Sequence, residues 1–325
     1  MLGGLVEIGA ELRSKNEAYY AHICQWINET FPVKPGAGSH VFHNAARSAT
    51  GSPYFASCLQ DQVTDQNVDL VFVQFDVNDG HKAPYMNNGH RRSLEVLLEQ
   101  HRAAWYMADL VIGLLQNNAA AATLFPAGEA DAAASAAVLP EPMLPGNWDV
   151  ATGVCLHDEL LHAATLPGDQ SGFAWVDDTT SYGTHRWGWV SEHIGAFMDL
   201  QVDTSMPGMP AERGAWLSVA VLMSYQRMGT AMLECMRNCE CKAMRIDALW
   251  KHHMCIKEHG HIKVTPSTEC VVRFTNVAPE RAGGNRFKLE AATVRPGSYY
   301  MGEGLYHFGS ERYAENGPPM TQERV

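Results

Sequence analysis

Asp69-Leu-Val-Phe-Val-Gln-Phe-Asp-Val-Asn-Asp-Gly80 decides how the first half of this chain folds. An apolar run of Leu, Val and Phe reads as a parallel strand covered on both faces, and polar residues at its carboxyl end stand where α/β sheets place their sites. Asn78-Asp79-Gly80 is also an ordinary turn tripeptide, with Gly supplying positive φ and Asn or Asp a local cap. Both readings stay open on these residues alone.

Working outward, Ser14 to Thr30 predicts a helix with Tyr19, Ile23, Trp26 and Ile27 on one face, ended by Phe31-Pro32. The stretch His40-Val-Phe-His-Asn-Ala-Ala-Arg-Ser-Ala-Thr-Gly-Ser-Pro-Tyr54 predicts a short strand entering a small-residue loop. An amphipathic segment from Tyr54 to Gln62 follows. Helix, strand, helix, strand implies a parallel sheet in an α/β domain.

Four pieces together, Leu2 to Leu12, Phe42-His-Asn-Ala-Ala, Ser52-Pro-Tyr-Phe-Ala-Ser-Cys58 and Leu70 to Gly80, resemble the SGNH (GDSL-like) hydrolase superfamily. The resemblance is to a plant and green-algal branch with a β-rich carboxyl-terminal extension. It implies a flavodoxin-like three-layer domain and a serine ester hydrolase acting on a carbohydrate or cell-surface ester, without cofactor or metal. Asn78 then matches the Asn whose side-chain amide donates to the oxyanion, and Gly51 stands two residues after the position of the oxyanion-hole Gly, which Ala49 occupies. Preorganised donors of this kind stabilise a tetrahedral oxyanion by several kcal/mol.

Two blocks of the resemblance have no counterpart. The nucleophile block belongs upstream of Leu2, and Ser14, Ser39, Ser48 and Ser52 lack the strand-to-helix context of such a serine, reading instead as cap or loop residues. The Asp-x-x-His block is missing too, since position 87 before His90 is Asn and position 98 before His101 is Leu. The segments flanking the Gln100-His101 join resemble two helices that the family separates, although an apolar stripe from Leu94 to Leu115 runs across it. The expectation is an α/β domain over 1–116, truncated internally near 100/101. Such a chain is either an incomplete gene product or a non-catalytic relative.

Residues 117–144, rich in alanine and closing on Leu139-Pro-Glu-Pro-Met-Leu-Pro145, read as a linker. Beyond it the texture changes to short alternating segments: Gly172 to Asp177, Arg186 to Val190, Phe197 to Val202, Trp216 to Tyr225, Cys270 to Val277 and Phe287 to Val294. Broken by Gly, Pro and Asp turns, they predict an antiparallel β-sandwich over 145–296, with 297–325 an irregular tail.

Six of the eight cysteines fall in this second half, and Cys235, Cys239, Cys241 and Cys270 suit disulfide bracing of a secreted domain. Zinc held with His252, His253, Cys255, His259 and His261 is a rival, weakened by the single residue between Cys239 and Cys241. Free thiols are a third reading. Trp175, Trp187 and Trp189 either offer a flat sugar-stacking face or fill the core. Asn28-Glu-Thr30 is a glycosylation sequon.

With 36 acidic against 24 basic side chains, the chain does not suit a phosphate backbone, and no nucleic-acid partner is expected. Apolar runs such as Ala215 to Met223 are too short for a membrane span. Start-of-chain composition shows no signal segment, yet the cysteine usage favours the secretory pathway or the extracellular space. Expected partners are an acylated carbohydrate or small ester. The alternative is a non-catalytic glycan- or protein-binding protein on the same scaffold.

Overall fold

The computed structural model describes residues 2–3, 18–34, 36, 38–47, 50–63, 68, 70–75, 93–97, 153–179, 185–205, 214–250, 255–281 and 283–296. The chain divides into two compact units, Met1–Ala151 and Thr152–Val325.

In the first unit, β1 (Leu2–Gly3) pairs in parallel with β2 (Val73–Gln74), with Leu2 opposite Val73. Within Asp69–Gly80 the described strand is Val73–Gln74, with Leu70 to Gln74 half-buried and Phe75 buried. Helix α1 (Tyr19–Thr30) ends where Phe31-Pro32 ends it. Of its expected apolar face Ile27 is buried, whereas Trp26 is 51% exposed and meets the edge of Phe31 at 5.6 Å. Asn28 is exposed on its last turn.

Helix α2 (Ser52–Gln62) is more buried than an amphipathic reading implies: Ser52 to Ala56, Cys58 and Leu59 all lie inside. Phe55 packs its ring 5.2 Å from Phe75, fixing the helix to the end of β2. The strand expected near His40 does not form. His40 Nε2 binds the Phe31 carbonyl at 2.6 Å and Asn44 Oδ1 accepts from the Ala46 amide at 3.1 Å, so local polar contacts replace a ladder. Residues 93–97 are helical, with Ser93, Glu95, Val96 and Leu97 buried. The join at 100/101, the linker and the tail lie outside the described residues.

The second unit is built from β3 (Val154–His157), α3 (Asp158–Ala163), β4 (Thr165–Ser171), β5 (Ala174–Asp177), β6 (Trp187–Ser191) and β7 (Phe197–Val202). Then follow β8 (Ala215–Met223), β9 (Thr230–Arg237), β10 (Met244–Asp247), β11 (Ile256–Val264), β12 (Cys270–Val277) and β13 (Phe287–Pro296). One sheet runs β10-β9-β12-β7-β4 and the other β11-β8-β13-β6-β5, all pairs antiparallel. Strand β13 pairs with β6 through Phe287 to Leu289 and with β3 through Ala291 to Val294, so β3 takes over the edge that β6 leaves.

Alternation sorts the side chains. Met198, Leu200 and Val202 of β7, Cys270, Val272 and Phe274 of β12, and Leu217, Val219, Val221 and Met223 of β8 share one core with Phe287, Leu289 and Val294 of β13. Burying each large apolar side chain contributes roughly 1.5–3 kcal/mol relative to exposure. Asp199 lies on β7 opposite Arg273 of β12, and the two form a bidentate pair at 2.6 and 2.8 Å.

The cysteine cluster resolves into disulfides, Cys235–Cys241 and Cys239–Cys270, which join β9, the segment after it and the start of β12. Cys235, Cys239 and Cys270 are spaced closely enough to hold a metal, but each sulfur is already bonded to another. Cys24 and Cys255 are free. His252 and His253 lie outside the described residues. His259 and His261 sit on β11 with parallel rings 6.2 Å apart, and His261 Nδ1 is hydrogen-bonded to Ser218 Oγ.

Candidate functional site

Three tryptophans converge at the β5–β6 edge because strand register puts them there. Trp175 is opposite Trp189 and Asp177 is opposite Trp187, so these four side chains share one face of the hairpin. Helix α3 adds a fourth ring: fully buried Leu161 anchors it in the core, and the adjoining His162 lies on Trp189 at 5.4 Å with 8° between planes. His162 also approaches Trp175 at 5.1 Å, and Trp175 stacks on Trp187 at 5.8 Å and 13°. Trp189 is 4% exposed and belongs to the core, whereas Trp175 and Trp187 are half-buried. The core reading thus holds for Trp189, and Trp175 also packs against that core.

Polar groups fix the end of the ladder. Asp177 accepts hydrogen bonds from His185 Nδ1 at 2.5 Å, Thr179 Oγ1 at 2.6 Å and the Arg186 amide at 2.8 Å. The His185 hydrogen bond, joined by that of Thr179, holds the Asp177 carboxyl down at about 2. His185 itself stands 70% exposed. With Nδ1–H donated to Asp177, its Nε2 is left as the other polar atom of the ring.

Successive strand residues face opposite ways, so Asp178 faces the other side of the hairpin. There it accepts from Arg286 Nη2 at 2.6 Å and Lys288 Nζ at 3.0 Å. Burial raises the Asp178 carboxyl, but Lys288 and Arg286 outweigh it and the net shift is downward. Lys288 is fully buried and also reaches Glu290 at 3.3 Å, while Lys257 meets Glu290 at 2.9 Å. Burial raises Glu290 too, and Lys257, Lys288 and Arg186 together more than reverse it. Gly188 makes this network possible: a Cβ there would stand 2.8 Å from Lys288 Cε and 2.5 Å from the Leu289 carbonyl oxygen.

In the first unit, Gly51 is buried and caps α2 in an extended conformation, φ −111° and ψ −175°. That backbone is open to any residue, so a need for positive φ does not explain glycine here. The loop leading into it is tied down by Arg47, whose Nε donates to Gln62 Oε1 at 2.5 Å and whose carbonyl accepts from Thr50 Oγ1 at 2.7 Å. Asn78 lies outside the described residues. Sequence reasoning singled out the tryptophans but missed His162, Asp177 and His185. The period-2 placement of Trp175 with Asp177, and of His185 with Trp187 and Trp189, was the signal that could have linked them.

No protein-family model matches the chain, and no curated protein matches it. Among solved structures it is similar to a two-domain esterase (CEX) active on acetylated mannans, crystallised with mannopentaose. The TM-score is 0.54 and the identity 16%, over 91% of this chain and 90% of that one. The structure of a two-domain esterase (CEX) active on acetylated mannans, described without mannopentaose, gives a TM-score of 0.53 at 14% identity, over 91% and 90%. At such identities the likeness is one of fold. A carbohydrate-binding module from Cellvibrio mixtus lichenase 5A, in complex with cellotriose, has a TM-score of 0.30 and 11% identity over 45% of this chain and 98% of that one, too low a score to argue from.

Proposed function

We propose that this chain, with the fold of a two-domain esterase, is a carbohydrate-directed relative of the SGNH ester hydrolases. Its second unit holds an acylated polysaccharide against the Trp175–Trp187 edge. The observation that carries this reading is the parallel, half-buried tryptophan pair, with Asp177 in register beside it. The axial C–H face of a pyranose stacks on an indole, and nearby hydrogen-bonding groups orient it. The disulfides Cys235–Cys241 and Cys239–Cys270 are in keeping with a secreted or extracellular setting.

On this reading Asn78 and the Gly51 amide are the oxyanion donors of the deacylase scaffold. Oxyanion donors turn over an ester only together with a base, since an unassisted hydroxyl attacks poorly. No histidine in the sequence has an aspartate three residues before it, so the family's acid-base pair has no counterpart at its usual spacing. We therefore assign this chain glycan retention rather than ester turnover. The test uses purified protein on acetylated mannan: retention on the polysaccharide is expected, without release of acetate. Acetate release that an alkylphosphonate abolishes would overturn the assignment and favour a working deacylase. The likeness to an esterase active on acetylated mannans is the observation that keeps that second reading in play.

A further inference from the structure

We infer that His185 accepts a hydrogen bond from a free hydroxyl of a neutral pyranose stacked on Trp187, so that the site selects unesterified sugar residues. The inference rests on the sugar-binding reading of the aromatic edge and adds to it a basis for discrimination. Trp187 ends the ring ladder: one face of its indole stacks on Trp175, and among the described residues no other ring packs against it. Asp177 lies directly opposite Trp187 on the same face, so its bond to the imidazole holds His185 at the same end of the hairpin as that indole.

The carboxylate determines what His185 offers. Asp177 is acceptor-only when ionised, so Nδ1 must carry the proton it shares with Asp177. In a neutral imidazole Nε2 is then an acceptor. Thr179 Oγ1 and the Arg186 amide occupy further acceptor positions of the carboxylate, which keeps Asp177 facing His185. An acceptor needs an O–H. A hydroxyl blocked by an acyl group has no proton to give and presents a carbonyl instead, leaving Nε2 unpaired.

The experiment measures the affinity of the whole chain for mannopentaose and for O-acetylated mannopentaose under one set of mildly alkaline conditions. One net hydrogen bond corresponds to about a fivefold preference for the free sugar. His185→Ala is expected to weaken mannopentaose about fivefold and leave the acetylated ligand unchanged; its 70% exposure makes a folding defect an unsuitable explanation. Asp177→Asn, which lets Nε2 carry the proton, should remove the preference, whereas purely structural damage would weaken both ligands alike. No effect of His185→Ala, or equal losses on both ligands, overturns the inference. Trp187→Ala separates the two levels: it should abolish binding of both sugars. If it does and His185→Ala changes nothing, the inference alone fails. If Trp187→Ala leaves binding intact, the aromatic edge is not a sugar face and both readings fall.

Discussion

Removing the Cys239–Cys270 disulfide should destabilise the second unit more than removing Cys235–Cys241, and loop length sets the margin. The bonds span 31 and 6 residues. In the chain-entropy account, closing those loops in the unfolded chain is worth about 3.7 and about 2.2 kcal/mol at 25 °C. The two rings overlap, because Cys239 lies inside the shorter one, yet neither bond offers the other a shorter path along the chain. The contributions therefore add. Cys270 is fully buried, and losing its sulfur leaves a cavity that widens the difference. The test replaces each pair by alanine and follows urea unfolding by fluorescence of Trp189 and Trp250, which belong to the same core. With a slope of about 2 kcal/mol per molar urea, the midpoint should fall by about 1.9 M for Cys239/Cys270 and about 1.1 M for Cys235/Cys241. An equal or larger fall for the six-residue pair would refute the reasoning.

Three further outcomes follow from the packing and the charges. Asp177 is held down at about 2 against an ordinary value of 3.8, so its contribution to stability is present above about pH 4 and is lost as pH falls through 2; unfolding curves of the wild type and Asp177→Asn should differ at pH 6 and draw together as pH falls through 2. Asp199→Asn leaves the Arg273 cation without its bidentate partner and should cost about 3 kcal/mol in chemical denaturation, the lower end for a buried pair because Arg273 retains 28% exposure. Gly188→Ala drives a methyl against the Leu289 carbonyl and the Lys288 stem and should cost about 3 kcal/mol, measured as loss of denaturation midpoint with the fold's circular dichroism preserved.

The segments that declared themselves in the sequence were those whose apolar residues alternate. Phe197 to Val202, Trp216 to Met223, Cys270 to Val277 and Phe287 to Val294 all became strands because one face of each enters the core. Thr230 to Arg237 escaped notice since Ala, Met, Leu and Glu are also good helix formers, and only pairing with Met244–Asp247 and β12 selects the strand. Ile256 to Val264 carries Lys, Glu and His through a strand whose neighbour β8 supplies the register. The cysteines announced bracing, but which sulfurs meet depends on β9 and β12 lying side by side, a contact between residues about 40 apart in the chain. At the site, Trp175 and Trp187 were legible as aromatic residues. Their stacking, and the bond between Asp177 and His185, follow from cross-strand register and had no local signature.

The overlapping disulfide rings have a consequence for a protein exposed to proteases. A peptide bond cut anywhere between Cys235 and Cys270 leaves both halves tied through Cys235–Cys241 or Cys239–Cys270. A nicked molecule would therefore gain the mass of one water and release nothing until it was reduced. Backbone damage across β10 and β11 would thus remain hidden in a non-reducing gel, with the severed strands kept at hand for re-pairing.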